Sequence, residues 1–363
     1  MFHTNGRLIG LGCGVIFVFG ACGGGGAPAS VALPCDPGSR TCYVRASGRG
    51  LDTNTGADKD HALGTIRKAA SLARNGYKII VGPGRYEETE VTTASVGTAP
   101  QGLQFIADVA GNFTGDTAGA VTVMFNGSGS GAGFNLFSSP GSLIDGFTIT
   151  GFPDAGIVVK SGSDDFTIQN CIISGNSGDG IRVQDSASVL VFNNLIYRNG
   201  GVGVGIVGKQ SGSPNARVYS NTVVGNADHG IILGTTSAPS PNASVHNNII
   251  QDNDHNAPQE SIKAITDPRS DVFPAPDIPD YNLVSPATYS PANLQGAHDL
   301  HTPAVFVDLT GGDFHVPVGS PVVNAGGVLN VDDSLIRSLR SRTVVAGGAG
   351  DSGQLDIGFH YLR

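Results

Sequence analysis

The chain is predicted to be all-β, a solenoid of stacked coils, from an internal repeat, a recurring glycine-led strand and a turn-rich composition. Four central segments superimpose: FTIQNCIISGN (Phe166 to Asn176), VLVFNNLIYRN (Val189 to Asn199), ARVYSNTVVGN (Ala216 to Asn226) and ASVHNNIIQDN (Ala243 to Asn253). Their closing asparagines are 23, 27 and 27 residues apart. A period of that size marks supersecondary units that bury a face only against their neighbours. Each segment follows a glycine-led apolar strand: GIVV at Gly156, GIRV at Gly180, GIVG at Gly205 and GIIL at Gly230. Each unit therefore holds two or three short strands and no helix. The 54 glycines, 20 prolines, absent tryptophan and 14% charged residues suit a fold of many turns and few exposed helices.

The asparagines fall in columns. Asn170, Asn193 and Asn247 share one position of the overlay, filled by Ser220 in the third segment. Asn194, Asn221 and Asn248 share the next, with Cys171 in the first copy, and Asn176, Asn199, Asn226 and Asn253 close the units. Asparagine tolerates the left-handed backbone of a sharp corner and satisfies its own turn. Stacked copies can also pass amide hydrogen bonds from coil to coil, as in cross-β ladders. The columns are thus architecture rather than a ligand-binding row. Phe192, Tyr219 and His246 share a position too, which predicts a packed stack rather than a sugar platform.

With these residues in place, the chain resembles the right-handed parallel β-helix proteins, the architecture of pectate lyases and of many secreted bacterial polysaccharide-active proteins. The stretch TCYVRASGRGLDTNTGADKDHALGTIRKAASLA, followed by YKIIVGPGRYEE (Thr41 to Glu88), is similar to the N-terminal opening of these domains. DFHVPVGSPVVNAGG with LDIGFHY (Asp313 to Tyr361) resembles the C-terminal segment, of the choice-of-anchor type, of anchored bacterial β-helix proteins. The resemblance spans roughly residues 41–363. It implies a single-stranded right-handed parallel β-helix with a short N-terminal capping helix. Function follows from it far less directly, because one fold hosts many chemistries.

Residues 1–21 read as an export signal: Arg7 is the positive region, Leu8 to Phe19 the apolar stretch, and FGAC (Phe19 to Cys22) the small-residue close. Cys22 resembles the lipidated cysteine of a bacterial lipobox, with Phe19 where leucine is usual; ordinary secretory cleavage nearby is the alternative. Residues 22–40, opening with GGGGAPAS after the cysteine, form a flexible tether. Cys35 and Cys42 flank a short turn and, in an oxidising compartment, are expected to form a disulfide. Residues 61–75 place Leu63, Ile66, Ala69, Ala70 and Ala73 at helical spacing. In the resembled family such a helix covers the strand edges left open at the end of the solenoid. The β-helix is assigned to 41–293, with loops around Thr93 to Gln101 and Gly111 to Gly119. Its regular coils run from Asp154 to Asn253, and periodicity lapses into proline-rich text between Asp254 and Asn293. Residues 294–363 are either late coils or a fold-back. Cys171 is expected to be a buried, packing thiol.

Chemistry in such a fold is sought on an outward sheet face. Alternation from Ile157 and Val159 puts Lys160, Gln184 and Lys209 on one outward row, with Arg182 on the adjacent row. A basic stripe of that kind suits successive carboxylates of a uronate chain. Uronate lyases neutralise the carboxylate, by Ca²⁺ or by a basic side chain, and a base then abstracts the acidified α-proton. Lys160, Arg182 and Lys209 are therefore the candidate catalytic residues, as base or carboxylate clamp. Asp154, Asp164, Asp165 and Asp179 are the candidate Ca²⁺ ligands, since that hard ion takes several carboxylate oxygens. The competing reading is that outward charges merely keep a solenoid soluble.

Two classes of function remain open: an enzyme acting on extracellular polysaccharide, as a uronate lyase, or a non-catalytic surface module that binds glycan. The net charge of −9 argues against nucleic acid as a partner. The GxGxxG-like string GVGVGIVG lies within a β coil and opens no helix, which disfavours a nucleotide cofactor. The expected protein is a monomer that meets the membrane only through its N-terminal lipid.

Overall fold

In the computed structural model, residues 34–46, 48–93, 99–160, 162–184, 188–207, 216–233, 243–253, 265–266, 279–290 and 294–362 are described. The export signal, Cys22, the first part of the tether and Lys209 lie outside them. The chain is a single-stranded right-handed parallel β-helix. Among the described residues, three parallel sheets of eight strands each run its length. One sheet passes through Phe166–Gln169, Val189–Phe192, Arg217–Tyr219 and Ser244–His246; a second through Ile172–Ser174, Leu195–Tyr197, Thr222–Val224 and Ile249–Gln251. The third holds Ile157–Lys160, Ile181–Gln184, Val204–Val207 and Ile231–Leu233. Coils stack in strict register, so that Ile168 pairs with Val191, Val191 with Val218 and Val218 with Val245. All four are fully buried, forming one continuous core with Phe105, Phe134 and Phe147, whose rings meet edge to face.

The columns behave as their chemistry predicts. Asn170, Asn193, Ser220 and Asn247 all take left-handed angles, with φ of 57°, 53°, 56° and 59°, and so turn the corner between the first and second sheets. The amides of Asn194, Asn221 and Asn248 each donate to the side-chain oxygen of the next copy at 3.0 Å, and the ladder ends on Asn282. Asn176, Asn199 and Asn226 do the same at 2.9 Å, ending on Asn253. Asn282 shows that a coil resumes inside the proline-rich stretch: Leu283–Ser285 pairs with Ile249–Gln251.

One register read from sequence is corrected. Val204, not Ile206, pairs with Ile181, so Gly203 rather than Gly205 is the equivalent of Gly156, Gly180 and Gly230. The reason is steric. A β-carbon at Gly156, Gly180 or Gly203 would come within 2.3–2.5 Å of a core methyl from Ile173, Ile196 or Val223, whereas one at Gly205 meets nothing closer than 3.9 Å. Val207 therefore holds the place beside Gln184 that the sequence assigned to Lys209, which lies outside the described residues.

At the N-terminal end, the Cys35–Cys42 disulfide closes the opening turn. The capping helix, α1, covers Ile66–Leu72, shorter than its spacing implied because a 3₁₀ turn occupies Lys59–His61 and Ala73 is extended. Thr65 caps it by accepting from the Lys68 amide, and Ile66, Ala69 and Ala70 face the core. Cys171 is a buried thiol whose pKa burial pushes up to about 12.

The C-terminal segment folds back on the solenoid. Its helix α2 (Asp333–Arg340) sets Leu339 against the outward residues Leu190, Phe192 and Tyr219. Phe314, Val316, Val322, Ile357 and Phe359 cover outward residues of the second sheet, among them Leu195, Val224 and Ile249. Phe192 and Tyr219 are thus packed, 2% and 3% exposed, and the half-buried His246 continues the column, meeting Tyr219 edge to face with centroids 5.8 Å apart, as their shared position predicts.

Candidate functional site

The structure separates the residues singled out in sequence. Lys160 ends its strand, half-buried, and its ammonium makes no ion pair among the described residues. Arg182 lies between Val158 and Gly205 on the neighbouring strands. Its guanidinium is already occupied: Nη1 donates to Asp154 at 2.9 Å and Nε to Asp179 at 2.6 Å. The other Asp179 oxygen accepts from the Val202 amide at 2.9 Å, so the trio staples adjacent coils. Burial opposes the charged guanidinium, but Asp179 and Asp154 outweigh it and hold its pKa above the ordinary arginine value. That setting fits a structural ion-pair staple and not a proton acceptor.

The four aspartates do not gather around one point. Asp154 and Asp179 precede their strands, while Asp164 and Asp165 follow Lys160 at the opposite end. The residues fit a Ca²⁺ ion poorly, because the first two are joined by a guanidinium. Among the described residues, the side chains whose ligand atoms converge as a metal would require are Asp351, Asp356 and His360.

A cleft of about 600 Å³ lies where the C-terminal tail meets the corner of the first and second sheets. That volume falls in the range of small-ligand sites. Ala107, Val109, Ala120 and Phe359 supply its apolar lining, and Asp145, Asn170, Thr148, Arg342 and Tyr361 its polar groups. Asp145 is pinned from the next coil: Gln169 Nε2 donates to one oxygen at 2.9 Å and Asn170 Nδ2 to the other at 2.7 Å. Arg342 has no such support. Among the described residues its guanidinium has no hydrogen-bond or ion-pair partner; burial lowers its pKa, and the charge of Asp145 offsets this only in part. Its backbone is nonetheless fixed, with the amide donating to Leu339 at 2.9 Å and the carbonyl accepting from Asp351 at 3.0 Å.

Tyr361 is a wall, not a base. Its ring stacks on His315 with centroids 3.7 Å apart, its hydroxyl oxygen accepts from the Phe314 amide at 3.0 Å, and burial raises its pKa. The cleft therefore presents one under-satisfied cation beside aromatic and apolar surface. Chemically, it can receive a carboxylate attached to a body with apolar faces.

Sequence reading passed over Arg342 and Asp145. Arg342 occurs once, outside the repeats, so no overlay isolates it. Asp145 did leave a signal. It pairs with Gln169, which pairs with Phe192, so a carboxylate stands in the outward column that later turns aromatic.

A family model for the right-handed β-helix region matches residues 120–214. Among solved structures, pectate lyase Pel9A superimposes with a TM-score of 0.47 at 15% identity, over 88% of this chain and 95% of that one. A rhamnogalacturonan lyase gives a TM-score of 0.37 at 14% identity, over 68% of each chain. A comparison with curated protein sequences finds no match. The structural likenesses carry no functional argument at these values.

Proposed function

We propose that the chain binds a uronate-containing extracellular polysaccharide in this cleft, with Arg342 pairing to a sugar carboxylate. The observation that carries the reading is the largely buried guanidinium, which has no hydrogen-bond or ion-pair partner among the described residues. A buried charge is costly unless paired, and a ligand carboxylate supplies a charge-assisted, potentially bidentate partner. Phe359 and the Tyr361 ring offer surface to the apolar faces of a sugar. With residues 1–21 read as an export signal and Cys22 as a lipid anchor, such a binder would act at the cell surface.

A second reading, a uronate lyase acting by β-elimination, is favoured by Lys160, whose ammonium makes no ion pair among the described residues and which could serve as base on the outward sheet. Binding of pectate, alginate and glycosaminoglycan fragments by calorimetry, with ultraviolet absorbance of unsaturated product followed with and without Ca²⁺, separates the two. Arg342→Ala is expected to weaken binding roughly 10- to 100-fold, the usual cost of losing a hydrogen-bonded charge. Undiminished binding in that variant would rule out the cleft. Absorbing product that disappears in Lys160→Ala would establish the lyase instead.

A further inference from the structure

We propose that Asp351, Asp356 and His360 form a binding site for one divalent transition-metal ion, of the Zn²⁺ or Mn²⁺ kind, that fastens the C-terminal segment to the β-helix. One ligand atom from each residue lies within 4.8 Å of the other two. The side chains of Asp351 and His360 are completely buried, and Asp356 is 5% exposed.

Convergence alone would be weak evidence, but two further observations point into the same space. Asp351 Oδ1 is buried and has no hydrogen-bond partner. A carboxylate oxygen removed from water in that way carries a desolvation cost that a cation would cancel. The second observation concerns the imidazole. His360 Nδ1 lies 2.9 Å from the Gly358 carbonyl oxygen, which can only accept, so Nδ1 carries the hydrogen. In the neutral ring the lone pair of Nε2 then faces Asp351 Oδ2 at 3.3 Å, acceptor against acceptor. An ion between them turns that repulsion into two coordinate bonds. A doubly protonated ring would satisfy Nε2 but would still leave Asp351 Oδ1 orphaned.

The remaining contacts orient the ligands, as the outer contacts of a metal site do. Asp351 Oδ2 accepts from the Asp356 amide at 3.0 Å, and Asp356 Oδ1 accepts from the Asn324 amide at 2.7 Å. A donor set mixing imidazole with carboxylate suits a transition ion. Ca²⁺ would require six to eight oxygens, which three side chains including a histidine do not provide.

The place of the site gives its role. The His360 amide donates to Asn193 Oδ1 at 2.6 Å, and the Gly358 amide to the Asn247 carbonyl at 2.8 Å, so the ligand-bearing segment is seated on two corners of the solenoid. The Asp351 amide holds the Arg342 carbonyl. An ion would therefore tie the loop that positions Arg342 to the segment docked on the coils.

The test uses the full chain without a histidine tag, freed of metal by a chelator. Titration with Zn²⁺, Mn²⁺ and Ca²⁺ is followed by calorimetry and by thermal unfolding, and elemental mass spectrometry measures the metal retained by untreated protein. The expected result is one transition-metal ion per chain and an unfolding midpoint raised by about 5 °C at a hundredfold excess over Kd. Both are lost in Asp351→Asn and in His360→Gln. If a variant fails to fold, Co²⁺ added to the wild-type chain still reports through its visible absorption, which a nitrogen–oxygen site produces. The absence of both retained metal and a midpoint shift with Zn²⁺ or Mn²⁺ would overturn the proposal, as would binding that survives both substitutions or that favours Ca²⁺. Because none of these readings involves glycan, they fail or succeed independently of the cleft.

Discussion

The coils from Phe166 to Asn253 enclose the inner core, the segment from residue 294 onward packs on their outer faces, and the two are secured in opposite ways. In the coils every load is shared. Asn221 receives two donors from Asn194 and passes its own amide to Asn248, and the pattern repeats a coil later. In the C-terminal segment each attachment occurs once: His360 to Asn193, Gly327 to Asn247, Phe359 to Thr222, and the carbonyls of Leu309 and Thr310 to Arg198. A repeat binds a residue to its neighbours' geometry and leaves little freedom for chemistry. The unrepeated segment has that freedom, and Arg342, Asp351 and His360 all lie in it.

The sharpest way to break this comparison is Asn221→Ala. It leaves the amide and the side-chain nitrogen of Asn194 without their shared acceptor, both in a fully buried setting. At roughly 1–3 kcal/mol for each buried group left unpaired, the loss should be about 2–5 kcal/mol in denaturant unfolding. A cost below about 1 kcal/mol would mean that the ladder is decoration and that apolar stacking alone holds the coils.

Glycine substitution sharpens the same contrast at the level of register. Gly203→Ala would drive a methyl to 2.4 Å from Val223 and 2.6 Å from the Gly230 carbonyl, so it should destabilise by about 1–3 kcal/mol, as overpacking does. Gly205→Ala, two residues on, should be close to neutral. Equal effects at the two positions would contradict the observed pairing.

That pair of glycines also measures what the sequence revealed. The solenoid, the corner asparagines, both ladders, the buried aromatic stack and the disulfide were legible because each is a local rule repeated, or a short-range geometry. The register of one coil was not, since Gly203 and Gly205 look alike until Val223 from the following coil occupies the space beside one of them. Arg182 was found as an outward cation, but its two carboxylate partners come from separate coil corners, and their joint grip depends on stacking distance. Arg342 and the Asp351, Asp356 and His360 cluster lay beyond reach for a different reason. Their neighbours are supplied by a fold-back whose path no periodicity encodes.

The N-terminal opening is a third, intermediate case, because it too relies on a unique pairing. Asp116 accepts from Arg45 and Arg49, and its hydrogen bonds to them, Arg45 first, hold its pKa below the ordinary carboxylate value against the opposing effect of burial. A depressed carboxylate stabilises the fold fully above the unfolded pKa near 3.8 and ceases to do so as pH falls through the lower folded value. Glu88 acts in the reverse sense: burial raises its pKa, so its protonation relieves strain as pH falls. Asp116→Asn should therefore lower stability at pH 7 by about 1–2 kcal/mol, moderated by the exposure of Arg49. It should also flatten the loss of stability below about pH 4, measured as the unfolding midpoint against pH. An unchanged acid limb would assign that loss to other carboxylates.

The smallest effect is expected at Arg182, and its smallness is informative. The trio of Arg182, Asp154 and Asp179 joins adjacent coils as the asparagine ladders do, but from the outside, with side chains 27%, 37% and 17% exposed. Water already solvates such charges, and exposed ion pairs are worth about 0–1 kcal/mol. Arg182→Ala should accordingly cost less than about 1 kcal/mol, a fraction of what Asn221→Ala costs for a comparable number of hydrogen bonds. The two substitutions differ chiefly in whether water can replace what is removed. If Arg182→Ala proves as damaging as Asn221→Ala, burial is not what separates the inner ladder from the outer staple. In that case the outward face of the third sheet contributes to the stability of the coils on equal terms with the core.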